Sequence, residues 1–148
     1  MPVPTDTHIA DIAHIIQLAV APVFLISGVG VTLTVLTNRL SRIVDRARVL
    51  EERLTAATEA VRIGLNADLH TLASRARFIN WAITLTTSCG LLVCLVIVSL
   101  FVGYFLGLDL SKTIAILFIV AMLAFVIAFV SFMREIFLAT SSLRIGPY

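Results

Sequence analysis

Along this chain, uninterrupted apolar stretches alternate with one segment in which apolar and charged positions mix at regular intervals. Positions 14–36, 78–108 and 113–133 contain no Asp, Glu, Lys or Arg. A hydrocarbon core about 30 Å thick is crossed by roughly 20 apolar residues of helix, so each stretch predicts a membrane-spanning helix. Between the first two, the apolar positions Leu36, Leu40, Ile43, Ala47, Leu50, Leu54, Ala57 and Val61 recur at alternating gaps of four and three. That is a heptad stripe on a helix. A second stripe, Leu65, Leu69, Leu72, Ala76 and Ile79, leads into the second span. "GLNADL" at 64–69 predicts the turn between them, with Gly64 ending one helix and Asn66 capping the next.

The predicted architecture is therefore all-α. It is an integral membrane protein with three transmembrane helices and a cytoplasmic amphipathic helical extension between helices 1 and 2. The expected boundaries are an outer segment 1–13, a first span 14–36, an Arg-rich helical hairpin 37–77, a second span 78–104, an outer loop 105–112, a third span 113–133 and a cytoplasmic segment 134–148 that holds a short interfacial helix. As read, the hairpin arms are unequal, roughly 40 Å from Thr37 to Ile63 and roughly 20 Å from Leu65 to Arg77. Such arms predict an outgoing helix that bends over the membrane surface or leans on another helix.

Composition supports a lipid-solvated chain, with 59% hydrophobic and 14% charged residues among 148 and a mean hydropathy of +1.06. The N-terminus "MPVPTDTHIADIAH" has neither the positive patch nor the short apolar core of a cleaved signal peptide, so the first span is expected to be retained. Arg39, Arg42, Arg46, Arg48, Arg53, Arg62, Arg75 and Arg77 all lie between spans one and two, and they are most of the 11 basic residues. The positive-inside rule puts this segment and the C-terminus in the cytoplasm and the N-terminus outside.

The arginines divide by their neighbours. Arg42, Arg48 and Arg62 stand three or four residues from Asp45, Glu52 or Glu59, the spacing of ion pairs on one helix. Arg39, Arg46 and Arg53 recur every seven residues beside the stripe and have no acid at that spacing. Their counter-charge has two sources, lipid phosphates with residues 40–57 at the headgroups, or acids such as Glu51 on a neighbouring helix; a solvated face is the third reading. Anionic headgroups are the favoured partner.

Within the spans, Pro22 removes a helical hydrogen bond from the carbonyl of Leu18 and predicts a kink. Ser27, Gly28, Gly30, Thr32 and Thr34 are small enough for close helix approach. Asn80, Thr84 and Ser88 suit either helix packing or the lining of a polar pathway. Phe118, Phe125 and Phe132 form a seven-residue row that predicts a lipid or packing surface, and Trp81 an interfacial anchor. Cys89 and Cys94 differ by about 140° around a helix and cannot bridge. His8, Asp11 and His14 are spaced by three without a complete ligand set, so no metal site is assigned. No phosphate loop, paired carboxylates or nucleophile with a base is evident; no catalytic residue, cofactor or nucleic-acid partner is expected.

"LTNRLSRIVDRARVLEERL" after span one, "RARFINWAI" before span two and "FMREIFLATSSLRI" after span three together resemble the bacterial membrane family called domain of unknown function 2721. The likeness runs from about Ala21 to Ile145, and its most distinctive part is Thr37, Asn38, Arg39, Arg42, Asp45 and Arg46. It implies a small multi-span membrane protein and no particular activity. The reading that results is a non-enzymatic scaffold component, self-associating as a homo-oligomer or part of a larger membrane complex. The alternative is a small homo-oligomeric channel or solute pathway.

Overall fold

A computed structural model describes the backbone of residues 5–141 and the side chains of residue 9 and residues 11–137. It is all-helical, with α1 at Thr5–Ala56, α2 at Glu59–Leu106 and α3 at Ser111–Ser141. All three are long and apolar enough to cross a membrane. The first two, of 52 and 48 residues, extend over about 70–80 Å at 1.5 Å per residue. Each therefore overhangs a ~30 Å hydrocarbon core by several turns. The overhangs are the Arg-rich region, and α1 and α2 run into it without a break.

The turn between them is not at Gly64. Gly64 lies inside α2, and the break falls at Ala57 and Thr58. Thr58 adopts an extended conformation (φ −71°, ψ 158°) and its carbonyl accepts from the amides of Val61 and Arg62. Glu59 follows in the first turn of α2 and Arg53 closes the last turn of α1, each complementing its helix dipole. With the break here the two arms are nearly equal, and the geometric reason for a bent-over outgoing helix disappears. The stripe lies against the return arm. Leu36 and Ile43 of α1 are buried with Leu72, Ile79 and Ala82 of α2, and Leu40, Ala47, Leu50 and Ala76 pack around them. Val61, assigned to the outgoing stripe, is instead exposed in the first turns of α2.

The heptad continues through the apolar spans, where hydropathy alone hides it. Pro22, Val29, Leu36 and Ile43 are the buried row of α1, and Ala121, Ala128 and Glu135 that of α3. Helix α2 carries two rows, Leu72–Ile79–Thr86–Val93 and Ala82–Cys89–Val96–Gly103. It needs two because it is the central helix, packed by both α1 and α3. A seven-residue repeat in α-helices produces left-handed, coiled-coil-like packing. A second core joins Val29, Cys89, Val93 and Ala121, and a Cβ on Gly90 would stand 3.3 Å from Cγ1 of Val29. Helix α1 continues through Pro22, which is buried in this row rather than interrupting the helix. Cys89 is buried and Cys94 exposed, both as free thiols. Phe125 and Phe132 join the two cores as packing residues, and Trp81 is exposed. The C-terminal segment expected at 134–148, with a short interfacial helix of its own, is continuous with α3 as far as Ser141, and residues 142–148 lie outside the described region.

Helix α2 ends in a Schellman cap. Gly107 is left-handed (φ 61°), its amide donates to the carbonyl of Tyr104, and the amide of Leu108 donates to that of Gly103. The backbone N–H and the hydroxyl of Ser111 both donate to Asp109, starting α3. These bonds hold the Asp109 carboxyl below its ordinary range, the side-chain bond contributing most.

The two glycines predict opposite outcomes. Gly107→Ala forces a Cβ into left-handed backbone and should cost about 1–2 kcal/mol. Gly64→Ala adds a methyl to a helix interior with no atom within 4 Å and should stabilise by about 0.5–1 kcal/mol. Equilibrium unfolding in mixed micelles, followed by circular dichroism, measures both. A loss at Gly64 would restore the turn to 64–69.

Candidate functional site

Where the overhanging arms meet the end of α3, the heptad row of that helix closes on a carboxylate. Glu135 is the only acidic residue after Asp109 and its side chain is fully buried. A carboxylate withdrawn from water costs several kcal/mol unless charged partners and hydrogen bonds compensate. Here both other helices supply one. Nη2 of Arg75 on α2 donates to Oε1 at 2.9 Å, a short charge-assisted bond. Nη1 of Arg39 on α1 stands 3.2 Å from Oε2, close enough for an ion pair but without hydrogen-bond alignment. The Arg39 guanidinium also lies over the ring of Phe132, 5.2 Å from its centroid. Phe132 is one turn before Glu135, so a single face of α3 gives Arg39 both an anion and a π surface.

This assembly is what the local charge pattern omits. Neither Arg39 nor Arg75 has an acid three or four residues away, and the group that pairs with both is on another helix, 60 residues after Arg75. The one sequence clue was a lone acid beside Arg134 at the end of an apolar span, matched to two arginines with no local partner. Glu135 was not among the expected site residues.

The structure places the three expected arginines in different surroundings. Arg39 is in the ion pair, Arg46 lines the cleft beside it, and Arg53 is exposed in the last turn of α1. Among the same-helix pairs, Arg62–Glu59 forms at 3.5 Å and is exposed, a geometry that contributes little. Arg42 and Arg48 form no ion pair among the described residues. Glu51 lines a separate apolar groove with His70 and Asn66.

Membrane-level candidates face outward. Ser27 and Gly28 of α1 are exposed, as are Asn80, Thr84 and Ser88 of α2. The Thr84 hydroxyl donates to the carbonyl of Asn80 and that of Ser88 to the carbonyl of Thr84, both at 2.9 Å. Such hydroxyls are satisfied within their own helix. Asp11 and His14 are exposed, and the side chain of His8 lies outside the described residues.

If Glu135 fastens all three helices, its partners are energetically coupled. Arg75→Gln should destabilise the protein by about 3 kcal/mol, the lower end for breaking a buried pair. Glu135→Gln and the double variant complete a cycle with a coupling of about 2 kcal/mol. Unfolding in mixed micelles measures it, and additive effects would reduce the pair to coincidental proximity.

No curated relative and no solved structure matches the chain. One family model does, over residues 19–145, a stretch that contains Arg39, Arg75 and Glu135 together with every buried heptad position named above. On that match the chain belongs to the family described as protein of unknown function (DUF2721).

Proposed function

We propose that this protein is a multi-pass component of a bacterial inner membrane, with its N-terminus outside and the arginine hairpin and C-terminus in the cytoplasm. There it serves as a non-enzymatic scaffold that associates with itself or with other membrane subunits. The orientation rests on the concentration of basic residues between the first two spans. The observation that carries the scaffold reading is the unfilled small-residue surface of α1. A Cβ built on Gly28 or Gly30 meets no atom within 4 Å, and Ser27 and Thr34 beside them are exposed. Within a bilayer, such surfaces let a second backbone approach closely enough for dispersion forces to favour association over lipid contact. The low burial of the apolar windows, 17%, 17% and 11% for the three helices, leaves ample surface for that purpose.

A second reading, a homo-oligomeric channel or solute pathway, draws on the exposed row Asn80, Thr84 and Ser88. The Asn80 amide has no hydrogen bond among the described residues, so a row facing a shared axis would present it to water or to a neighbouring copy.

In the double variant Gly28→Ile/Gly30→Ile the bulk falls in open space, so the single-chain fold is retained while close approach is blocked. Photobleaching of labelled protein at high dilution in liposomes should show multi-step bleaching for the wild type and a shift to single steps for the variant. Identical distributions would remove the α1 surface as an interface. Solute flux into the same liposomes, lost in Asn80→Leu, would favour the pathway reading. For orientation, an impermeant thiol reagent added to intact cells should modify Ser111→Cys and spare Thr55→Cys in a background lacking the native cysteines. The reverse pattern would invert the topology.

A further inference from the structure

A cleft of about 650 Å³ opens beside the Glu135 ion pair, walled by Asn38, Arg39, Arg42 and Arg46 from α1, Arg75 from α2 and Glu135 from α3. Its size is that of a small-ligand site, and its charge is unbalanced. Four guanidinium groups share one carboxylate, and that carboxylate is already engaged by Arg39 and Arg75. Arg42 and Arg46 have no acidic partner among the described residues, and the buried Nε of Arg75 has no hydrogen-bond acceptor there. Lysines so crowded could relieve their repulsion by losing protons; arginines cannot. A bound anion would relieve the excess that water alone only screens.

We propose that this cleft binds a phosphate-bearing anion through Arg42 and Arg46, with the Asn38 amide and the Arg75 donors that Glu135 leaves free completing the donor set. The spacing suits it, since Asn38, Arg42 and Arg46 succeed one another by four residues and so form one row along α1. A phosphate group has several acceptor oxygens and bridges neighbouring guanidiniums, which present donors in a fixed fork. Glu135 has a definite part in this. By engaging Arg39 and Arg75 and holding them against α3, it leaves Arg42 and Arg46 as the groups that an incoming anion meets. The cleft begins within a few residues of where each apolar stretch ends, at Leu36, Phe78 and Met133. This is the level of the headgroup layer in any membrane that the three helices cross. A phospholipid headgroup and a soluble phosphate share the chemistry that the cleft recognises.

The test separates the two sources. Purified protein in a phosphate-free zwitterionic detergent is titrated with inorganic pyrophosphate by calorimetry, and separately with phosphatidylglycerol, retained lipid being counted by native mass spectrometry. The variants are Arg42→Gln/Arg46→Gln, which spares the Glu135 ion pair, and Arg48→Gln/Arg53→Gln, which removes the same charge outside the cleft. Wild type and the second variant should bind at least one probe, with the first variant weakened about tenfold or more. Retention of lipid without pyrophosphate binding identifies a headgroup site; pyrophosphate binding identifies a site open to soluble phosphates. Failure of the wild type to bind either probe overturns the proposal, as does equal weakening in both variants. If the first variant does not fold by circular dichroism, Arg42→Lys/Arg46→Lys replaces it. Undiminished binding there would overturn the role of the guanidinium forks.

Discussion

Everything at the hairpin end of this molecule follows from the withdrawal of one carboxylate from water. Glu135 occupies a heptad position where Ala128 and Ala121 stand one and two repeats earlier, so the packing that buries those alanines buries the charge as well. That cost is tolerable only with cations in contact, and each of the other two helices provides one. The result is a contact among three helices of which two, α1 and α3, otherwise pack mainly against α2. Apolar heptad rows bring the helices together but specify their relative height weakly, because one repeat resembles the next. An ion pair at a single level fixes the register, a use of buried polar groups familiar from coiled coils.

The cleft is a by-product of the same arrangement. Arginines gathered to serve one buried acid also bring their neighbours on α1 into the same space, because residues three, four and seven apart share a helix face. Arg42 and Arg46 follow Arg39 at those intervals. Charge in excess of what the protein neutralises is thus concentrated at one mouth, whereas Arg48, Arg53, Arg62, Arg77 and Arg134 are spread over exposed surface.

The three spans, the helical character of the hairpin and the stripe from Leu36 to Leu50 were legible in the sequence, because each rests on periodicity or length within a single helix. Two features were not. The turn was misplaced because Gly64 and Asn66 are strong local signals, whereas the actual break at Ala57–Thr58 has neither glycine nor proline and is made by one extended residue. Pairing of the two arms, which buries Leu36 and Ile43 against Leu72 and Ile79, outweighs the modest helix penalty of a glycine. The partner of Arg39 was hidden for another reason. Charge pairing within a helix is read from offsets of three and four, but pairing between helices depends on which faces meet, and inside the spans nearly every position is apolar and gives no sign of which faces those are. The heptad that would have aligned Glu135 with the arginines is written there in small against large residues rather than in apolar against polar ones.

Chain order gives Glu135 one more consequence. Arg39 and Arg75 are translated well before it, on the first and second helices, so both must be accommodated at the edge of the bilayer while their carboxylate is still unmade. Until α3 is in place the two guanidiniums have water and mobile anions as their only counter-charge, so the arrival of α3 is what turns an open pair of helices into a fastened three-helix unit.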